Sequence, residues 1–152
     1  MSLYTIVKYV HVVLAVTAIG FNISYAIWLQ RAAREPEHAA FTLRGLKILD
    51  DRFATPAYIL LLVTGFVMLF DAGIPVTTFW IAGALVLYVA IVVGGIVLYT
   101  PALRRQTQLA ESGQAGSAEY QEAARRNVMV GTVLVILVLT IEFLMVTKPT
   151  LS

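Results

Sequence analysis

The charged positions divide the chain into four long apolar runs. Lys8 and Arg31 are separated by 22 residues without Asp, Glu, Lys or Arg. Arg52 and Asp71 are separated by 18, and Asp71 and Arg104 by 32. From Asn127 to Thr147 run 21 residues, interrupted only by Glu142. A helix needs roughly 20 apolar residues to cross a bilayer core of about 30 Å. Strands left unpaired in lipid would strand their backbone polar groups, so each run is expected to be a helix. The pattern predicts an all-α fold, an integral membrane four-helix up-and-down bundle. Its spans fall at about 6–30, 53–70, 76–100 and 127–147, with loops at 31–52 and 101–126, so residues 1–152 make a single membrane domain. The first run lacks a basic segment before it and exceeds the 7–15 residues of a signal-peptide core, so it reads as a retained span.

The loops give the bundle a direction. Arg31, Arg34, Arg44, Lys47 and Arg52 lie in the first, and Arg104, Arg105, Arg125 and Arg126 in the third. Lys8 and Lys148 are the only other basic residues. The positive-inside rule then puts both basic loops in the cytoplasm and both termini outside, N-out and C-out in the cell's inner (plasma) membrane. Composition agrees: 59% of residues are apolar, 13% are charged and the mean hydropathy is +0.82. The basic isoelectric point follows from topology, which removes the case for nucleic acid and favours anionic lipid head groups at the cytoplasmic loops. There is no cysteine, so disulfides, thiolate metal sites and cysteine nucleophiles are excluded.

Local signals refine the loops. Phe41, Leu43, Leu46, Ile48 and Leu49 among Arg44 and Lys47 suggest a short interfacial helix. Thr55-Pro56 reads as a cap with N1 proline, or a kink, opening the second span. Gly113 and Gly116 break the third loop, and Ser117 is placed to cap a helix running into the fourth span. Gly20 with Ser24, and Ala90 with Gly94, are small-residue pairs suited to close helix contact.

Ionisable residues at membrane depth are costly and mark candidate chemistry. Lys8 and His11 share a face of the first helix. Glu142 lies at similar depth in the fourth, and Met68, Met145 and Trp80 belong to the same outer layer. Asn22 is deeper. Three readings of His11 stay open: axial ligand of a haem, polar partner of Glu142 or of a backbone carbonyl, or proton relay. The second histidine, His38, is across the membrane, so a haem would take Met145, Met68 or Lys8 as sixth ligand, remain five-coordinate, or be shared by two His11 residues of a homo-oligomer. Glu142 either pairs with Lys8 or accepts protons. No phosphate loop, nucleophile elbow or zinc-helix motif occurs.

Several stretches together resemble a known family. They are Lys8-Tyr9-Val10-His11-Val12, Ala54-Thr55-Pro56, Thr64-Gly65, Thr100-Pro101-Ala102-Leu103-Arg104-Arg105, Glu119-Tyr120, Arg125-Arg126 and Phe143 through Pro149. They resemble a bacterial membrane family catalogued as domain of unknown function 2269, over essentially the whole chain. That family is grouped with the copper-resistance D-like membrane proteins and the HemJ-type protoporphyrinogen oxidases. Those relatives also place a histidine early in the first helix, and HemJ-like proteins bind haem. His11 matches that position, so the resemblance implies haem b. HemJ-like enzymes also use a lysine in the third helix, and none occurs here between Lys47 and Lys148. The ligands of the copper-linked relatives are missing too, so neither oxidase activity nor copper transport carries over. The functional expectation is a small membrane protein with haem on His11 for redox or electron transfer. The alternatives are a non-catalytic bundle with a Lys8, His11 and Glu142 cluster, acting as a complex subunit or lipid-interacting protein, and an oligomeric proton-coupled transporter.

Overall fold

The computed structural model describes residues 2–150. Four helices account for nearly all of them: α1 Leu3–Arg34, α2 Ala39–Asp71, α3 Phe79–Glu111 and α4 Ala118–Thr147. They hold 32, 33, 33 and 30 residues, and each is long and apolar enough to cross a membrane. At about 1.5 Å per residue each is roughly 45–50 Å long, well beyond a core of about 30 Å. The surplus collects at the end that carries Arg31, Arg34, Arg44, Lys47, Arg104, Arg105, Arg125 and Arg126, called here the basic end.

The segments between the spans are largely helical. The segment expected as the loop 31–52 is mostly helix, and the expected interfacial helix Ala39–Leu49 runs on into the span. The segment 101–126 holds a further helical stretch, Thr100–Glu111, and the first turns of α4. Pro56, expected as an N1 residue or a kink, and Pro101 both lie within continuous helices. A proline ring clashes with the carbonyl four residues back and offers no N–H. Here a π-turn precedes each proline: Asp50–Ala54 before Pro56, and Gly95–Tyr99 before Pro101. Thr55 N–H reaches the Asp50 carbonyl and Thr100 N–H the Gly95 carbonyl, five residues back. The wider turn makes room for the ring and the helix continues. Thr55 makes no side-chain cap bond.

True ends use turn chemistry. Ser117 accepts a bond from the Tyr120 amide at 3.1 Å and caps α4, as its position predicted. Gly113 takes φ +77°, and Gln114 N–H reaches back to the Leu109 carbonyl at 2.8 Å. Gly73 at φ +62° closes α2 in the same way, with Ile74 N–H on Leu69 at 3.0 Å. Both are Schellman closures, which need the left-handed region that glycine enters without strain.

Around the bundle, α2 packs on α1, α1 on α4, and α4 on α3. Within the spans α2 and α3 stand apart, although a short turn joins them. At the basic end their extensions Ala39–Leu49 and Thr100–Glu111 do meet, so the ring closes there. The connected hydrophobic core lies at that end. Its members include Leu29, Ala32, Leu43, Leu46, Leu103, Leu109 and Tyr120. The spans differ: between 6% and 22% of each helix's most apolar window is buried. Valines and isoleucines such as Val16, Ile27, Val63, Val86 and Ile136 face outward. Water at the basic end drives apolar burial, whereas lipid tails do not.

Helix approach in the spans depends on particular glycines. A Cβ on Gly83 would lie 3.3 Å from Leu144 Cδ1, and one on Gly94 3.2 Å from Leu134 Cδ2. Gly94 therefore fulfils its expected role, in the α3–α4 contact. Gly20 does not: nothing lies within 4 Å of its Cβ position, because α1 packs instead through Ala15, Ala18, Tyr25 and Leu29. Gly83→Val and Gly94→Val are each expected to lower stability by about 1–3 kcal/mol through overpacking. Gly20→Val should stay within about 0.5 kcal/mol. Thermal unfolding in one detergent checks the ranking, and equal losses at all three sites would refute it.

Candidate functional site

His11 sits half-buried on α1, against the Thr64-Gly65 pair of α2. Its Nδ1 is 2.7 Å from Thr64 Oγ1. The Thr64 hydroxyl also lies 2.7 Å from the Leu60 carbonyl and 3.2 Å from that of Leu61. A backbone carbonyl only accepts, so the single hydroxyl proton of Thr64 is directed there. Thr64 must then accept from His11, which places the imidazole proton on Nδ1. The Nε2 lone pair is left over, and no described residue hydrogen-bonds to it. Gly65 lies against the ring, where a Cβ would sit in ordinary contact at 3.4 Å from His11 Cε1. The signal for this pairing is Thr64-Gly65 one helix away, which spacing alone does not reveal.

The other residues of the expected outer layer are less gathered. Lys8 is exposed and forms no ion pair with Glu142 among the described residues. Glu142, Met68 and Met145 are half-buried. Met68 lies four residues beyond Thr64 and so shares its face of α2. Trp80 receives Lys148 instead, with Nζ 5.5 Å from the ring centre, an anchor suited to a membrane boundary. His38 is exposed at the basic end, beside Glu37 at 3.6 Å, and cannot join His11. No group of three His, Cys, Asp or Glu side chains gathers among the described residues.

Deeper, Asn22 donates to the Ala18 carbonyl at 2.8 Å and to the Tyr58 hydroxyl. Tyr88 donates to the Tyr58 carbonyl at 3.1 Å, a bridge across the α2–α3 gap. Below it lies a polar chain that the sequence did not reveal. The Tyr120 hydroxyl donates to the Ala32 carbonyl at 3.0 Å, Gln106 Nε2 donates to Tyr120 Oη at 3.2 Å, and Asn127 Nδ2 donates to Gln106 Oε1 at 2.5 Å. All three side chains are fully buried. Tyr120 and Ala32 are 88 positions apart, so no local pattern pairs them. The chain ties α1, α3 and α4 together at the core.

Of the basic residues at this end, Arg31, Arg44, Lys47 and Arg105 are paired with Glu35, Glu111, Asp51 and Glu119, all largely exposed. Such pairs contribute little to stability. Arg34 and Arg125 face one groove between α1 and α4, with Val128 and Met129 beside them.

With this geometry in place, comparison with known proteins identifies the family. The model of the family described as "Predicted integral membrane protein (DUF2269)" matches residues 5–149, and the chain belongs to it. No curated protein and no solved structure matches the chain.

The buried polar chain is testable by cutting its middle. Gln106→Leu removes the acceptor of Asn127 and the donor to Tyr120 and leaves both buried. It is expected to lower stability by about 1–3 kcal/mol. Gln108→Leu, two positions away and exposed, should change it by less than about 0.5 kcal/mol. Indistinguishable unfolding midpoints would show that the chain contributes nothing.

Proposed function

We propose that this membrane bundle holds a b-type haem on His11 Nε2, in the half opposite the basic end, for electron transfer. The observation that carries the reading is the hydrogen bond from Nδ1–H to Thr64. Metal-bound imidazoles characteristically donate their other ring nitrogen to a fixed acceptor, which sets the tautomer and orients the ligand atom. The donor set points to a macrocycle over a bare ion. A zinc or copper ion needs three or four protein ligands, whereas haem brings four nitrogens and asks for one or two. Met68, on the Thr64 face, is the favoured sixth ligand over exposed Lys8. Met145, or His11 of a second copy, would serve in its place. A bound haem supplies a one-electron couple. The chain's own contribution is to hold the imidazole in one orientation through Thr64.

The setting we propose is the plasma membrane, with the basic end in the cytoplasm. Anionic lipid head groups are the proposed partners there, drawn to arginines such as Arg34 and Arg125, which form no ion pair among the described residues. A second reading has one observation in its favour. The His11–Thr64 bond also fastens α1 to α2, as a purely structural bundle requires. The transport alternative has less support, since no hydrogen bond links Glu142 to His11 among the described residues.

Absorption spectra separate these readings. Protein purified in detergent from haem-replete cells is expected to show a Soret band that His11→Ala abolishes. Thr64→Val should keep the fold and weaken haem retention by about 10–100-fold. A colourless protein that is folded and monodisperse would overturn the haem reading. Loss of stability in His11→Ala without pigment in the parent would favour the structural one.

A further inference from the structure

A groove of about 440 Å³ runs between α1 and α4 at the basic end. Arg34 of α1 and Arg125 of α4 both line it and both are exposed. Neither forms an ion pair among the described residues. No Asp or Glu lines the groove, and Glu35, beside Arg34 in the chain, is held by Arg31 at 2.8 Å. Gln121 Nε2 donates to the Ala33 carbonyl at 3.3 Å and joins the two helices at the end farthest from the spans. The groove is therefore a fixed gap between packed helices, and its formal charge is entirely positive.

Beneath each arginine the helix continues the same face into the span. On α1, Gln30, Ile27 and Ile23 follow Arg34 at steps of four, three and four residues. On α4, Met129, Thr132 and Ile136 follow Arg125 at the same steps in the opposite chain direction. That spacing keeps each set on one side of its helix. All six side chains are exposed, and the Thr132 hydroxyl is satisfied by the Val128 carbonyl at 2.8 Å. Ile23 lies 11 positions from Arg34, and Ile136 11 positions from Arg125. At about 1.5 Å per residue each strip is roughly 16 Å long, close to half of a core of about 30 Å. Two cationic heads thus stand over two apolar strips, each the depth of a single leaflet.

We infer that this groove is a defined site for one anionic diacyl phospholipid, a reading that rests on the basic end meeting anionic lipid. Its phosphate sits between Arg34 and Arg125, whose guanidinium N–H groups donate to the phosphate oxygens. Its acyl chains lie along the two strips, one past Ile27 and Ile23, the other past Met129 and Ile136. A zwitterionic lipid brings its own ammonium against the two guanidiniums and is disfavoured. A soluble phosphate meets the arginines but leaves the strips uncovered. The bound lipid seals the seam between α1 and α4 at the point where the water-exposed core gives way to the spans.

The test titrates the full chain in detergent with dioleoyl phosphatidylglycerol or dioleoyl phosphatidylcholine, and reads the first bound lipid by native mass spectrometry. The glycerol lipid is expected to bind at least about tenfold more tightly than the choline lipid. Arg34→Gln and Arg125→Gln should each weaken it by about fivefold. Arg104→Gln, an exposed arginine at the same end but outside the groove, should leave it unchanged. Glycerophosphoglycerol, the same head group without chains, should not displace the lipid at equal concentration. Displacement by it would assign the groove to a soluble phosphate and overturn the proposal. A preference that survives Arg34→Gln combined with Arg125→Gln would overturn this site while leaving the general attraction of the basic end for anionic lipid. Equal affinity for the two lipids in the parent chain would overturn both.

Discussion

Apolar side chains gain by packing together only where water is the alternative. In this chain that condition holds at the basic end, and the molecule is organised around it. α2, α3 and α4 run beyond their apolar segments at the basic end, and these extensions build the connected core around Leu43, Leu103 and Tyr120. The Tyr120 hydroxyl on the Ala32 carbonyl fixes α4 to α1, and Gln106 and Asn127 extend the bond to α3. Within the lipid there is less to gain, so the helices meet through small residues and scattered hydrogen bonds. The consequence is a bundle closed at one end and parted between α2 and α3 along its spans.

The candidate site follows from that arrangement. Near the opposite end, helix contact is light, and a single side-chain bond decides the orientation of His11. Its imidazole is committed at Nδ1 and available at Nε2. Where the closed end gives way to the parted spans, the buried polar chain ends at Asn127.

The spans and the charged end were legible because ionisable side chains are excluded from lipid at high cost, so the gaps between them mark the membrane. His11 and Glu142 stood out for the same reason. The continuation of the helices was hidden because Pro56 and Pro101 signal an end in any local reading, and only the π-turns before them remove the conflict. Thr64 gave no warning, since a threonine in a membrane helix ordinarily bonds its own backbone, as this one also does. Gln106 and Tyr120 fall in the segment 101–126 between spans and Asn127 at the start of the fourth span, yet all three are fully buried, because the partner that anchors them is a main-chain carbonyl. The Lys8–Glu142 pairing inferred from depth does not form, since equal depth leaves the facing direction undetermined.

Hydrogen–deuterium exchange in nanodiscs tests the central claim most directly. The claim is that the packed core of this protein lies outside the bilayer, at the basic end. The amides of 40–49, 102–110 and 121–126 have water beside them and no lipid to shield them. The account predicts that they nevertheless exchange slowly, and that Gln106→Leu speeds all three segments together. Exchange within seconds, with protection confined to the spans, would show that these segments are solvated loops and would contradict it.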